Sequence, residues 1–300
     1  MKVMERLKTG SARWLRFFEV TMPYSLLPVA VGMAMAWRPG VGAAFWGRSV
    51  LVTLLMFLGL MFVHGSDSIV GYRRGVDQQV YKRQGVVKRE KPLVTGEVSM
   101  REAVIATSIV LALLLAVCAC YVLMTGWRVS ALTLGSVFIL TQYSVGLRLS
   151  YRGLGELAVA GTGMGAPIAY GFLTGSLAVA PLLVGVVLGL WQGAANVASN
   201  HADYQDDRAA GRKTLAVRLG LTWHRRVGVL MLVLGWGLLA SLIVLGALPA
   251  AMALVAVLGI RHVRQVQLLY AGEILKSRRL GFETFYKLSL GMAVVMVLAR

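Results

Sequence analysis

Residues 46–65 read WGRSVLVTLLMFLGLMFVHG, and the chain then turns abruptly polar in SDSIVGYRRGVD (66–77). About 20 apolar residues are what an α-helix needs to cross the hydrocarbon of a bilayer. The polar end carries two acids, Asp67 and Asp77, and two bases, Arg73 and Arg74. The same order recurs further on. The apolar run VAPLLVGVVLGLWQGAANVASNH (179–201) is followed by ADYQDDRAAGRKT (202–214), which holds Asp203, Asp206, Asp207, Arg212 and Lys213. A greasy segment that ends in acids and bases, used twice, sets the expectation for the whole chain.

Working outward, further apolar blocks bring the expected spans to 18–37, 46–65, 103–124, 129–147, 154–175, 179–201, 226–246, 248–263 and 284–299. The hydrophobic share is 57% and the mean hydropathy +0.70, too apolar for a soluble core of this size. The reading is an all-α polytopic membrane protein, one domain over 1–300, with about nine transmembrane helices. The two acid clusters lie four spans apart in the same orientation, which points to a two-fold internal repeat, each half supplying one cluster.

Charge orients the helices. With the N-terminus in the cytoplasm, all but Arg38, Arg48, Arg128 and Arg300 of the 31 Lys and Arg fall on the cytoplasmic side, as do all 13 acidic residues. That matches the positive-inside bias, and Trp37, Trp46 and Trp127 take the far interface. The expected location is the cell's inner (plasma) membrane, multi-pass, with the active site facing the cytoplasm. The net charge of +18 is spread between spans as topology signals and phosphate contacts, so no nucleic-acid partner is expected. The basic, amphipathic first 17 residues contain no apolar stretch before a cleavage site, and no signal peptide is expected. Cys118 and Cys120, two apart on one helix, face different directions and are read as unbridged. Polar residues gathered at one face, instead of lining a path across the midplane, argue against a transporter.

The acids suggest a metal. Asp203 and Asp207 are i,i+4 and share a face if the helix continues past the interface. Two carboxylates at a membrane edge call for a cation, and hard oxygens suit Mg²⁺, which leaves sites for substrate phosphates. In the first half, Asp67 and Asp77 precede a basic loop with Lys82, Arg83, Lys88, Arg89 and Lys91. Acids for the metal and bases for the remaining oxygens suit a metal–diphosphate complex. Lys213 and Arg212 are further phosphate contacts. His64 and His201 are candidate bases or ligands and, more simply, hydrogen-bonded structural residues. Asn196 and Asn200, i,i+4 and leading onto the face of Asp203, point to the same site.

These stretches resemble the UbiA-type intramembrane prenyltransferases, most nearly the branch that prenylates 1,4-dihydroxy-2-naphthoate in menaquinone synthesis. The likeness is carried by Tyr151-Arg-Gly-Leu-Gly-Glu156, by Asp203…Asp207-Arg208 with Gly211-Arg-Lys213-Thr-Leu, by Tyr72-Arg-Arg-Gly-Val-Asp77, by Pro92-Leu-Val-Thr-Gly96 and by Pro23–Val29. It implies helices around a central cavity, with Mg²⁺ joining Asp67, Asp77, Asp203 and Asp207 to a polyprenyl diphosphate. Arg73, Arg74, Lys88, Lys91, Tyr143, Asn196, Asn200 and Lys213 would contact substrate. The partners it implies are polyprenyl diphosphate, an aromatic acceptor of the quinone-precursor type, and membrane lipid. Two departures stand out. Ser68 and Gly71 occupy positions where the family's first motif carries acids, and Ala202 replaces an arginine. They motivate two alternatives: a UbiA-like lipid-binding or assembly partner, or the same ionisation chemistry turned to a non-quinone acceptor or to cyclisation.

Overall fold

A computed structural model describes residues 12–19, 23–78 and 91–299. Among these residues the chain is helical without strands. After a 3-10 turn at Pro23–Leu26 come α1 (Leu27–Ala36), α2 (Ala43–Arg73), α3 (Met100–Leu123) and α4 (Trp127–Thr141). The next span is broken into α5 (Gly155–Ala160), a 3-10 turn at Gly161–Met164, and α6 (Gly165–Thr174). Then follow α7 (Val179–Ala209), α8 (Leu215–Val244), a 3-10 stretch at Ala250–Leu258, α9 (Gly259–Tyr270) and α10 (Ile274–Leu298). Among the described residues seven helical stretches are long and apolar enough to cross a membrane, and two shorter apolar helices, α1 and α4, accompany them. Seven of the expected spans thus reach crossing length among the described residues, and those expected at 18–37 and 129–147 are the two shorter helices.

Several expected boundaries need correction, most of them outward, while the span expected at 129–147 ends early, at Thr141. The segment read as 46–65 runs to Arg73, that read as 179–201 runs to Ala209, and that read as 226–246 begins at Leu215. The last, read as 284–299, begins at Ile274. Hydropathy reports where lipid stops, whereas a helix continues until its backbone bonds find another partner. At 18–37 the reverse holds: the regular helix begins only at Leu27.

α7 lies at the centre, with 72% of its apolar window buried, against 28% for α3 and for α8. It packs on α8, α10 and the broken α5–α6 segment, while α1 is held between α6 and α10, and α2 lies along α3. The break in α5–α6 follows from close approach. A Cβ on Gly163 would lie 2.1 Å from Gly185 O, and one on Gly189 would lie 2.2 Å from Ala160 O. Only glycine lets these backbones touch, the usual device of helix packing in lipid. Two apolar cores result. One joins α2, α3 and α6 around Leu55, Leu114, Tyr121 and Phe172. The other joins α1, α7, α8 and α10 around Trp191, Leu188 and Phe285. The outer surface carries exposed Leu123, Leu254 and Leu298, as a lipid-facing surface should.

The charged end is closed by local chemistry. Ser99 and Glu102 form a reciprocal capping box at the start of α3. Arg13, in the helical residues 12–17, donates to Glu97 O at 2.9 Å, and Arg16 pairs with the Glu97 carboxylate. Both cysteines are free, Cys118 buried and Cys120 exposed.

Candidate active site at the charged end of the bundle

A cavity of about 250 Å³ opens between α2, α4, α5, α7 and α10. One end is polar, with Asp67, Asp203, Arg212, Arg278 and His64, and the deeper wall is apolar, with Met56, Leu60, Leu140, Ala158 and Phe282. The ends of α2 and α7 therefore meet, as the two acid clusters require.

Arg212 holds them together. Its guanidinium lies 3.7 Å from Asp67 Oδ1 and 3.6 Å from Asp207 Oδ1, and it lies over the Tyr151 ring at 4.6 Å. Asp207, 2% exposed, gives the turn its shape by accepting the Arg212 backbone N–H at 2.8 Å through its own carbonyl. Asp67 Oδ1 also accepts from Ser144 Oγ at 2.6 Å. Burial works against the Arg212 charge, but Asp67, Tyr143 and Asp207 hold its pKa above the ordinary value. Burial and then the Asp67 charge push the Tyr143 phenol up, and the same pair of causes raises Tyr151 to about 12. Both tyrosines are neutral hydrogen-bonding groups near pH 7.

The remaining expected site residues separate into two groups. Tyr143, Asn196 and Asn200 line the cavity with Asp67 and Asp203. Asp77 does not. It follows a positive-φ turn at Gly75 and pairs with Lys91 Nζ at 2.7 Å. Burial opposes the Lys91 charge, yet Asp77 and Asp67 carry its pKa well above the usual lysine value. Lys91 is thus committed to Asp77 and is not among the residues lining the cavity. Arg73, Arg74 and Lys213 are exposed and also off the cavity wall, Arg74 lying over Tyr151 at 4.7 Å. Lys88, with Lys82, Arg83 and Arg89, lies outside the described residues.

The altered first motif has a steric counterpart. A Cβ on Gly71 would meet Asp77 Oδ2 at 2.8 Å, so the Asp77 carboxylate fills the space in front of that glycine. His64 lines the cavity with its Nδ1 3.6 Å from Glu19. His201 is buried against His224, its Nδ1 3.2 Å from that of His224, and is not on the cavity wall.

Sequence reasoning missed Gln192, Ser199, Thr162, Tyr24, Arg278 and Phe282, all on the cavity wall. Gln192 was available as the i−4 neighbour of Asn196. Arg278 and Phe282 were hidden because α10 begins ten residues before the expected span.

Among the described residues no cluster of three or more His, Cys, Asp or Glu would hold a metal alone. Mg²⁺ does not need one, since it takes one or two carboxylates and completes its shell with water and phosphate. Asp67 and Asp203 line the cavity, and the buried Oδ2 of Asp207 has no hydrogen-bond partner among the described residues. The residues fit such an ion shared with a phosphate.

Fold and site define a helical membrane protein with an amphipathic cavity, charged at its mouth and greasy in its depth. The chain belongs to the UbiA prenyltransferase family, which matches residues 25–287. It is 27% identical over 206 residues to UbiA prenyltransferase domain-containing protein 1 of Xenopus tropicalis, covering 65% of this chain and 56% of the relative. The chain thus spans a little over half the length of that relative. A UbiA homolog from Archaeoglobus fulgidus, solved bound to GPP and Mg²⁺, superposes with a TM-score of 0.68 at 19% identity, over 96% of this chain and 99% of the other. The apo structure of a UbiA homolog from Aeropyrum pernix K1 gives 0.69 at 18% identity, over 92% and 98%.

Proposed function

We propose that this protein transfers a polyprenyl group from a polyprenyl diphosphate to an aromatic acceptor, of the dihydroxynaphthoate type, in a Mg²⁺-dependent reaction at the membrane. The observation that carries the reading is the cavity itself. Two carboxylate-bearing helix ends and Arg212 meet at its mouth, above a wall of apolar side chains.

Each part has a task. Asp67 and Asp203, with the unpartnered oxygen of Asp207, would hold Mg²⁺. Bound there with the diphosphate, the ion supplies Lewis-acid neutralisation of the departing charge. Arg212 and Arg278 face the same space and offer charge-assisted donors to the leaving oxygens. Arg212 must let go of its aspartates, in part, to do so. Leu60, Leu140 and Phe282 keep water from the electron-poor allylic carbon, which leaves the ring acceptor as the available nucleophile. A volume of about 250 Å³ falls below that of ordinary ligand pockets, roughly 300 Å³ and up, and does not hold an isoprenoid chain as well. An adjoining apolar crevice shares Met56, Leu140, Ala158 and Thr162 and continues along Leu55, Gly59 and Ile168. The tail is assigned to that crevice and the lipid beyond it. α2 and α7 act as corresponding elements of two halves, and the charged mouth is assigned to the cytoplasmic face of the inner membrane.

The test uses purified protein in detergent with labelled prenyl diphosphates, with and without dihydroxynaphthoate. Acceptor-dependent release of diphosphate, abolished by EDTA and restored by Mg²⁺, is the expected result. Release without acceptor would redirect the reading to cyclisation, and lipid binding without any release would redirect it to a non-catalytic partner.

A further inference from the structure

The polar wall of the cavity has a built-in direction. Gln192, Asn196 and Asn200 stand at successive i,i+4 positions on α7 and all line the cavity. Asn200 Nδ2 donates to Glu156 Oε1 at 2.5 Å. Glu156 is 2% exposed and is itself off the cavity wall. The same Oε1 meets His224 Nε2 at 2.8 Å. His224 Nδ1 faces His201 Nδ1 at 3.2 Å, and His201 Nε2 faces Arg225 Nε at 3.0 Å.

The donor and acceptor roles in this chain follow from its outer end. A guanidinium can only donate, so His201 Nε2 accepts from Arg225. The His201 hydrogen must then sit on Nδ1, which donates to His224 Nδ1. That leaves the His224 hydrogen on Nε2, donating to Glu156. The hydrogens are assigned from this network, and the network permits one assignment. A carboxylate is acceptor-only, so Glu156 can take only the NH₂ end of Asn200. The carbonyl end is what Asn200 has left to offer the cavity. One turn deeper, Asn196 Nδ2 is buried with no hydrogen-bond partner among the described residues.

We propose that Asn200 and Asn196 form the recognition site for the acceptor ring. A ring hydroxyl donates to Asn200 Oδ1, and a second ring oxygen accepts from Asn196 Nδ2. Glu156, His224, His201 and Arg225 are positioning residues that fix which end of Asn200 faces the substrate. Side chains one helical turn apart have their Cβ atoms about 5–6 Å apart, a spacing that suits oxygens on opposite sides of one ring better than adjacent ones. The inference rests on the prenyl-transfer reading of the cavity and adds the substrate feature that the polar wall selects.

The experiment measures equilibrium binding of 1,4-dihydroxy-2-naphthoate and of its two mono-O-methyl ethers to the full chain in nanodiscs. Binding of a labelled prenyl diphosphate and turnover are followed in parallel. One ether should bind about tenfold or more weakly than the parent, through loss of the donor to Asn200. Asn200→Ala should erase that discrimination. Glu156→Gln should weaken acceptor binding by a similar factor with diphosphate binding unchanged within about twofold, since a side-chain amide can turn Asn200 over. Arg225, partly exposed and not on the cavity wall, supplies a milder variant at the outer end of the cluster: Arg225→Met should weaken acceptor binding and Arg225→Lys restore it. Equal binding of parent and both ethers, or discrimination that persists in Asn200→Ala, would overturn the proposal. Ring binding with these dependences but no turnover would support it while removing the prenyl-transfer reading. Turnover with affinity indifferent to methylation would do the opposite.

Discussion

Gly71 shows how one missing side chain sets the site. Its backbone leaves room for the Asp77 carboxylate, which then reaches Lys91 at 2.7 Å. Gly71→Asp should displace that pair and place like charges together, lowering stability by about 1–3 kcal/mol, as read by thermal unfolding in detergent. Arg212 has the larger task. It is the cation between Asp67 and the buried Asp207, and Arg212→Met leaves Asp207 without its ion-pair partner. Breaking a buried pair in this way costs about 3–5 kcal/mol, and Arg212→Lys should recover much of it, since a single ammonium replaces the charge but not the fork. Asp203→Ala, at the mouth, should instead lower kcat/KM by about 10²–10³. At this scale the sequence was informative where charge interrupts an apolar run: Asp67, Asp203 and Asn200 were legible for that reason. Glu156 and His224 were not. They are 68 residues apart, and nothing local reveals that they meet. Asp77 and Lys91 were legible as charges but not as partners of each other.

At the scale of the element, length and breaks matter most. Apolar composition located the helices well, because each must bury or expose a greasy surface of bilayer thickness. It misjudged where they end. α7 continues from lipid depth through Asn196, Asn200 and Asp203 to Ala209, since side chains lining a cavity need not be apolar. The α5–α6 break was invisible in hydropathy, which runs on through the 3-10 turn at Gly161–Met164; it depends on glycines that meet a neighbouring helix. Their role makes a prediction. Gly189→Leu drives a side chain into Ala160 O, which a Cβ alone would approach to 2.2 Å, so the folded fraction recovered by size-exclusion chromatography should collapse. Gly237, whose Cβ meets nothing within 4 Å, is the control: Gly237→Leu should leave recovery unchanged. Ser99→Ala removes the cap on α3 and should lower stability by about 0.5–2 kcal/mol, a smaller effect at a surface end.

For the whole molecule, charge asymmetry is the organising fact. Among the described residues Asp67, Asp203, Arg212 and Arg278 gather at the polar end of the cavity, the end assigned to the cytoplasmic face. With Cys118 and Cys120 replaced by alanine, a cysteine at Lys213 should react with an impermeant thiol reagent only from the cytoplasmic side, and one at Gly40 only from the opposite side. The reverse pattern would invert the assigned orientation.

The polar face of α7 bears on how the protein is made. Its best apolar window has a mean hydropathy of 1.5, against 2.5 for α8, and Gln192, Asn196 and Asn200 lie on the side that enters the membrane. A nascent chain ending just after α7 would present those amides to hydrocarbon, where side chains of this kind insert reluctantly. α8, greasier and packed directly against it, is synthesised next. The two are therefore expected to leave the translocon as a hairpin, so that the segment carrying the active-site groups settles into the bilayer only once its neighbour has emerged to shield it.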